Sequence, residues 1–254
     1  MSHADQAARI TDLDRLRCRA RPLRSLVMEH AWRELLFLHW KFDPSLVQSR
    51  LPAGMRVDTF QDQAWVGVVP FLMRDIRPRW LPAVPGISNF HEWNVRTYVI
   101  DERGRPGVYF FSLDADQSLA VWLGRHVFHL PYLRSRLSFT AQANERRATC
   151  QRPGAAPAVI RFIPQAHPIP AVIGTLDFFL IERYLMFNVA RSGEIVAGQV
   201  WHPPYEFCEV SLIQSSAAPL GWNGFDEPTR PPDHAVWSPG VDVDIFGLER
   251  VSPA

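Results

Sequence analysis

Residues 88–136 contain the most unusual residue pattern of the chain and have the sequence SNFHEWNVRTYVIDERGRPGVYFFSLDADQSLAVWLGRHVFHLPYLRSR. As a β-strand, residues 90–100 would alternate between two faces. The face suited to packing against a hydrophobic layer carries Trp93, Val95, Thr97 and Val99. The opposite face carries four polar side chains in register, namely Glu92, Asn94, Arg96 and Tyr98. Such a row lines an internal cavity or faces water, and the sequence favours a cavity.

The segment after this strand predicts a hairpin partner. Residues 101–107 have the Gly and Pro content of a turn, and residues 108–115 resume a β-rich run with Ser112 and Asp114 on one face. If the polar faces of the two strands coincide, Asp114 shares a wall with Glu92. A shift of one residue in register would separate them.

The remaining pattern predicts a mainly β, β-rich α+β fold, either a closed barrel or a sandwich with a few peripheral helices. Residues 34–42, ELLFLHWKF, indicate a strand buried on both faces, and Asp43-Pro44 indicates a helix start. Helices are also expected over residues 118–128 and 175–184, and a hairpin around residues 191–193. With 254 residues and 47% hydrophobic content, residues 28–254 are expected to form a single domain.

Residues 1–27 form an arginine-rich segment that the sequence separates from the core. Five arginines fall within ten positions: Arg15, Arg17, Arg19, Arg21 and Arg24. We expect a solvated, partly helical extension. The alternative is a contact with an anion or a nucleic acid.

Composition excludes several classes of protein. A formal net charge of +1 gives no argument for a nucleic-acid partner of the core or for a membrane partner. Three widely spaced cysteines, no secretory leader and no long apolar run favour a soluble cytoplasmic setting. His126 and His129 have metal-ligand spacing but no third ligand nearby, and no phosphate or dinucleotide motif is present, so neither a metal nor a cofactor is expected. The sequence leaves open whether the chain forms a homo-oligomer.

Several motifs carry a family resemblance. HEWNVRTYV, GVYFFSLDAD and LPYLRSR, together with FLHW and ERY elsewhere, resemble the YqjF-like family of bacterial proteins over roughly residues 28–247. That family is grouped with the acetoacetate decarboxylase-like superfamily. Residues 124–134 also resemble the Gly-Arg-Glu-x-Phe-Gly-Tyr-Pro-Lys-Lys segment of the decarboxylases themselves. The resemblance implies a closed, cone-like β-barrel with a central cavity.

The same resemblance argues against the decarboxylase mechanism. Tyr132 and Leu133 occupy the positions of the two decarboxylase lysines, and a phenol cannot replace an amine in a Schiff base. Glu92 precedes Tyr132 by forty residues, a spacing similar to that of the family's active-site glutamate. The only lysine in the chain is Lys41, so a Schiff-base enzyme would have to use it. The resemblance therefore implies an inherited pocket without the iminium chemistry.

These residues define a candidate site. Glu92, if desolvated, would have a raised pKa and serve as a general acid or base, and Tyr132 would donate a proton or orient a substrate oxygen. Arg96 or Arg125 would bind a carboxylate, with Asn94, Tyr98 and Asp114 on the ligand-binding wall. We expect Arg96 to pair with Glu92, so that its removal costs about 3–5 kcal/mol. The alternative is a purely structural hydrogen-bond network.

Three functions are compatible with this site. The first is the binding of a small anionic metabolite, an oxo-acid or another carboxylate, without turnover. The second is a lysine-independent lyase, isomerase or hydratase acting on a small carboxylate with Glu92 as the acid or base. The third is a structural protein with a filled interior, which an open polar pocket containing Glu92, Arg96 and Tyr132 would exclude.

Overall fold

The computed structural model describes residues 10–251, and strands dominate it. The strands are β1 (Leu26–Phe42), β2 (Met55–Val57), β3 (Ala64–Pro78), β4 (Phe90–Asp101), β5 (Pro106–Ala115), β6 (Tyr132–Arg134), β7 (Arg136–Gln142), β8 (Glu145–Gln151), β9 (Ala158–Pro164), β10 (Ile169–Pro170), β11 (Leu185–Val189), β12 (Ile195–Trp201), β13 (Glu206–Gln214), β14 (His234–Phe246) and β15 (Glu249–Arg250). The helices are α1 (Asp12–Cys18), α2 (Pro44–Gln48), α3 (Ser118–His126), α4 (Leu176–Ile181) and α5 (Ala218–Trp222). The β-rich class expected from the sequence is confirmed.

The strands that surround the interior form a closed ring. Their hydrogen-bonded order is β12, β11, β5, β4, β3, β1 and β14, and a further pairing of β14 with β12 closes it. Most neighbours are antiparallel, whereas β11 runs parallel to β5. Strands β13, β9, β8 and β7 continue from β14 as a flap outside the ring.

The flap explains why β1 is buried on both faces, as its sequence predicts. Leu35 and Phe37 belong to the cluster inside the ring. Leu36 and Leu38 belong to a second cluster that includes Ile160 of the flap strand β9. Burying both faces requires apolar residues at consecutive positions rather than alternate ones, which is the pattern of this strand.

The helix starts agree with the sequence. Asp43 precedes α2 and its Oδ1 accepts a hydrogen bond from the Ser45 amide at 2.7 Å, with Pro44 in the first helical position. Thr175 caps α4 by accepting from the Phe178 amide at 3.3 Å. Gln117 caps α3, which leads directly into the segment carrying Tyr132.

The described part of the N-terminal segment packs against the core, which differs from the solvated extension we expected. Helix α1 forms as predicted, but Arg15 is only 5% exposed and its Nη2 donates to both Asp58 carboxylate oxygens, at 2.9 and 2.8 Å. Arg21 forms an ion pair with Asp244 at 2.5 Å. These arginines are therefore neutralised by carboxylates of the same chain. Residues 1–9 lie outside the described residues.

Two general features of the described chain bear on its setting. No helix in residues 10–251 is long and apolar enough to cross a membrane. Cys18, Cys150 and Cys208 are all free thiols.

Candidate functional site

A cavity of about 370 Å³ lies inside the ring. Its walls are largely apolar, contributed by β1, β3, β5 and the loop before β4. The charged, amide, hydroxyl and imidazole side chains that the described residues contribute to its lining are few: His30, Ser88, Glu92, Asn94, Arg96, Tyr132, Arg183 and Tyr205. The presence of Glu92, Arg96 and Tyr132 in one open cavity excludes the hypothesis of a filled interior.

Strand β4 supplies the polar wall as the sequence predicted. Glu92, Asn94 and Arg96 all line the cavity, and they pair across the sheet with Phe71, Val69 and Gly67 of β3. Glu92 and Asn94 are 2% and 4% exposed, so their polar atoms depend on protein partners or a ligand rather than on bulk water.

Tyr132 contacts Glu92 directly. Its hydroxyl donates a hydrogen bond to Glu92 Oε2 at 2.5 Å, and both side chains are buried. Strand β6 positions the tyrosine by pairing in parallel with β5, where Tyr132 lies opposite Leu113. Gly124 of α3 leaves room for the ring, since a Cβ there would lie 2.3 Å from Tyr132 Cδ2.

The electrostatics of this pair suit proton transfer near neutral pH. Burial raises the pKa of Glu92 to about 7, against hydrogen bonds from Tyr132 and Asn94 that lower it. Burial, with the adjacent Glu92 charge, raises the pKa of Tyr132 well above its ordinary value, so Tyr132 remains a phenol. A carboxyl group that changes protonation near pH 7 is well matched to general acid or base work.

Arg96 presents a guanidinium to the cavity without a carboxylate partner in the described residues. Its Nη2 donates to the Leu180 carbonyl at 3.1 Å and to the Tyr98 hydroxyl at 3.4 Å, both neutral acceptors. Its Nε is buried and has no hydrogen-bond partner within residues 10–251. A buried, unsatisfied donor on a positive group is costly, and an anion in the cavity would satisfy it.

The expected pairing of Glu92 with Arg96 is wrong. Glu92 bonds to Tyr132, and Arg96 bonds to Tyr98 and Leu180. The two residues are four positions apart on an extended strand, which separates their Cα atoms by about 13 Å. Glu92 therefore finds its partner on β6, whereas Arg96 finds its partners on its own strand and on α4.

Arg183 is a cavity residue that the sequence did not identify. It belongs to the ERY motif that the family resemblance included, and its Nη1 donates across the fold to Asp58 Oδ2 at 2.9 Å. Arg15 shares the same carboxylate, and Arg183 Nη2 is buried without a partner in the described chain. Although burial lowers the pKa of Arg183 to about 10, the group remains charged at neutral pH.

Tyr98 belongs to the cluster inside the ring, as predicted, but it does not line the cavity. Its hydroxyl lies 2.7 Å from both the Leu180 carbonyl and His39 Nε2. Its ring packs on Phe179, which in turn packs on Phe60, with centroids 5.3 and 5.4 Å apart. We name Tyr98, Phe179 and Phe60 the aromatic floor.

Asp114 does not share a wall with Glu92, contrary to the sequence-based expectation. It pairs with Trp93 on the outer face of the ring, where Arg152 donates to both of its oxygens at 2.8 and 2.7 Å. An irregularity between Val95 and Arg96 leaves Phe111 of β5 unpaired. Glu92 and Asn94 therefore face Ala115 and Leu113 across the hairpin.

Arg125 also lies away from the cavity lining. Its side chain is exposed on α3, and its Nε donates to the Tyr132 carbonyl at 2.5 Å. The role that follows from this contact is to hold the segment of Tyr132, rather than to bind a carboxylate as expected.

His30 lines the cavity and was not singled out by the sequence. Both ring nitrogens are buried without a hydrogen-bond partner in the described residues, and burial lowers its pKa to about 4. Lys41 is exposed and does not line the cavity. Within residues 10–251, no group of three histidine, cysteine or acidic residues is placed to hold a metal ion.

Comparison with known proteins defines the family. The sequence profile of DUF2071, described as an uncharacterized conserved protein, matches residues 29–242. The chain belongs to the DUF2071 family. This DUF2071 protein is 34% identical to the Bacillus subtilis (strain 168) protein YqjF over 199 residues, which are 78% of this chain and 79% of YqjF.

The fold of this DUF2071 chain is similar to the folds of several solved structures. Acetoacetate decarboxylase from Legionella pneumophila superposes with a TM-score of 0.66 at 14% identity, covering 92% of this chain and 91% of the decarboxylase. The enduracididine biosynthesis enzyme MppR, in complex with pyruvate, has a TM-score of 0.64 at 13% identity, with 91% and 93% covered. The acetoacetate decarboxylase-like fold that the sequence resemblance implied is thereby confirmed.

Proposed function

We propose that this DUF2071 protein binds a small anionic metabolite, a carboxylate or an oxo-acid, inside the ring, without Schiff-base chemistry. The observation that carries the proposal is the guanidinium of Arg96, which lines an internal cavity and has no carboxylate partner in the described residues. Arg183 adds a second positive group to the same lining, and it shares its one carboxylate with Arg15.

Charge balance in the cavity supports an anion over a cation. Within residues 10–251, the only acidic side chain on the lining is Glu92, whose raised pKa, about 7, leaves it partly neutral at pH 7. Arg96, Arg183 and its neighbour Arg15 carry three positive charges against at most two carboxylates, Asp58 and Glu92, so the balance at this end of the cavity is positive. The structure of MppR with pyruvate is of an enzyme with the same type of fold, and it supports a small oxo-acid as a ligand of the interior.

Isothermal titration calorimetry with pyruvate, acetoacetate and butyrate tests the proposal. We expect binding to the wild-type protein and loss of binding in Arg96→Met. Arg56→Met is the matched control, because Arg56 is exposed on β2 and does not line the cavity. Binding should be tighter at pH 6 than at pH 8, since ionised Glu92 repels an anion. Equal affinity of the wild type and Arg96→Met would contradict the proposal.

The second candidate is a lysine-independent lyase, isomerase or hydratase in which Glu92 transfers the proton. The short Tyr132–Glu92 hydrogen bond and the pKa of Glu92, about 7, favour it. Proton exchange of a bound oxo-acid gives a direct test. Deuterium incorporation next to the carbonyl of pyruvate, followed by proton NMR, should be lost in Glu92→Gln while calorimetric binding remains. Binding without exchange in the wild type would leave only the first candidate.

A further inference from the structure

The shape and lining of the cavity describe its ligand more closely than an anionic group alone. We infer that the ligand is an apolar monocarboxylate with a body of about six to nine carbons, bound with its carboxylate beside Arg96 and its body toward the loop before β4. This inference rests on the proposed binding of a carboxylate at Arg96, and it adds the size, polarity and direction of the ligand.

The volume sets the size. A water molecule occupies about 30 Å³ of liquid, and a carbon or oxygen atom of a ligand needs a similar share, so 370 Å³ accommodates about a dozen such atoms. Pyruvate has six non-hydrogen atoms and would fill about half of this space. A carboxylate group accounts for three atoms, which leaves room for about nine carbons.

The burial of the lining residues sets the direction. At one end the cavity is lined by Arg96, Arg183 and Ile181, and the Arg183 guanidinium packs over the Tyr98 and Phe179 rings of the aromatic floor, 4.9 and 4.4 Å from their centroids. Ile181 and Arg183 are only 1% and 7% exposed, so this is the deep end. A carboxylate bound by Arg96 therefore lies at the bottom of the cavity.

The opposite end is a mouth lined by exposed apolar side chains. We define the mouth by Leu81, Val84, Ile87 and Leu119, which line the cavity and are 59%, 47%, 42% and 42% exposed. Strand β4 runs from this end inward, with Phe90 before Glu92 and Arg96 further along. A ligand with its charge at Arg96 directs its other end toward the mouth.

The walls between the two ends of the cavity are mostly apolar, which indicates that the body of the ligand is apolar as well. The cavity is lined between its two ends by buried apolar side chains, among them Val69, Phe71, Val108, Leu113 and Val200. The polar exceptions include Glu92 and Asn94 of β4, His30 of β1 and Tyr205. Glu92 is already bonded to Tyr132, and burial lowers the pKa of His30 to about 4, so His30 offers no charge to a ligand at neutral pH. Burying methylene or aromatic groups against such walls is favourable, whereas a second charge there would be desolvated without a partner.

Calorimetry with a series of straight-chain carboxylates tests this inference. Acetate, butyrate, hexanoate, octanoate, decanoate and tetradecanoate are titrated into the full chain, with 1-decanol as the uncharged probe. Affinity should rise by about fourfold per added methylene group and level off near decanoate, where the chain reaches the mouth. Decanol should bind more weakly than decanoate.

A variant that shortens the cavity provides a second measurement. Ala120 of α3 lines the cavity and is half-buried, so Ala120→Phe should move the plateau to shorter chains while butyrate affinity is retained. Ala156→Phe, at an exposed position outside the cavity, is the matched control. If circular dichroism shows that Ala120→Phe does not fold, Leu119→Trp at the exposed mouth replaces it.

The outcomes separate the inference from the proposed function. If butyrate and decanoate bind with equal affinity and both need Arg96, the inference is overturned and the proposed function stands. If decanol binds as tightly as decanoate and Arg96→Met changes neither affinity, both the inference and the proposed function are wrong. A plateau that does not move in Ala120→Phe or Leu119→Trp would also overturn the inference.

Discussion

At the scale of single residues, the cavity keeps its acid and its cation apart. Glu92 is held by a phenol, and Arg96 by neutral oxygen atoms. Neither group neutralises the other, so each remains available to a ligand. Desolvation raises the pKa of Glu92, and the Nε of Arg96 has no hydrogen-bond partner in the part of the chain that the structure describes. This is the arrangement expected of a binding or catalytic site rather than of a structural ion pair.

Glu92→Gln should change how stability depends on pH. The pKa of Glu92 in the folded chain, about 7, lies above its unfolded value, so the folded state holds the extra proton and loses stability as pH rises through 7. Between pH 6 and pH 9 this loss is about 1.4 kcal/mol. Urea denaturation at pH 6 and pH 9 should show this loss of stability in the wild type but not in Glu92→Gln. Parallel pH profiles for the two proteins would refute the assignment.

Arg96→Met and Arg183→Met should differ in their effect on stability. Among the described residues Arg96 donates only to neutral acceptors, so its removal should change the free energy of unfolding by less than about 1 kcal/mol. Arg183→Met removes hydrogen bonds to Asp58 and to the Phe179 carbonyl and should cost about 1.5–3 kcal/mol. Chemical denaturation measures both. A large loss in Arg96→Met would indicate a charge partner that the present contacts do not include.

At the scale of secondary-structure elements, β5 and α3 decide what faces the cavity. The unpaired Phe111 in β5 shifts the alternation of that strand, so that Phe110 and Leu113 both face inward although they are three residues apart. Asp114 is thereby directed outward to Arg152. Helix α3 in turn presents Gly124 where the ring of Tyr132 packs.

Gly124→Ala should displace Tyr132 from Glu92. The added Cβ would lie 2.3 Å from the tyrosine ring, so overpacking should cost about 1–3 kcal/mol despite the better helix propensity of alanine. Gly247→Ala is the control, because the nearest atom to a Cβ there is 3.8 Å away. Without the hydrogen bond from Tyr132, the pKa of Glu92 should rise, which the urea profile against pH will report. Equal stability and pH profile in both variants would count against this packing.

At the scale of the whole molecule, burial acts on several titratable groups at once. Desolvation raises the pKa of Glu92 and lowers the pKa values of His39 and His202. The burial of Glu92 therefore lowers the free energy of unfolding as the pH rises above neutral. The burial of the two histidines lowers it as the pH falls below neutral. Stability should be greatest near neutral pH.

His202→Phe should reduce the loss of stability in acid. The folded pKa of His202 is about 4 and lies below its unfolded value, so the unfolded chain takes up a proton first as pH falls through about 6.5. From pH 7 to pH 5 this costs the wild type about 2 kcal/mol. Phenylalanine preserves the stacking on Tyr184, whose ring centroid is 4.5 Å away. Denaturation at the two pH values checks the difference, and an unchanged acid loss would exclude His202 as its source.

Although this chain shares the fold of the decarboxylases, we expect it not to form their Schiff-base adduct with a substrate. Lys41 is exposed and absent from the cavity lining, and Tyr132 occupies the lysine position of the resembling motif. Incubation with pyruvate or acetoacetate and sodium borohydride should leave Lys41 unmodified by peptide mass spectrometry, with a Schiff-base decarboxylase as the positive control. A reduced adduct on Lys41 would reverse the conclusion.

The sequence by itself determined the features that depend on neighbouring residues. The caps at Asp43 and Thr175 and the alternation of β4 all follow from local spacing, and so do the fully apolar strand β1 and the lack of a lysine after Pro131. These features predicted the β-rich class, the cavity wall and the absence of a Schiff base at Tyr132.

Only the tertiary structure decided which groups meet. The unpaired Phe111 shifts the register of β5 and places Asp114 on the outer face of the ring. Glu92 bonds to Tyr132 rather than to Arg96, which has no carboxylate partner within residues 10–251. Arg183 and Asp58 come together from positions 125 residues apart. Strand register, desolvation and long-range ion pairs are set by the free energy of the whole packed chain, and no local window of sequence contains that information.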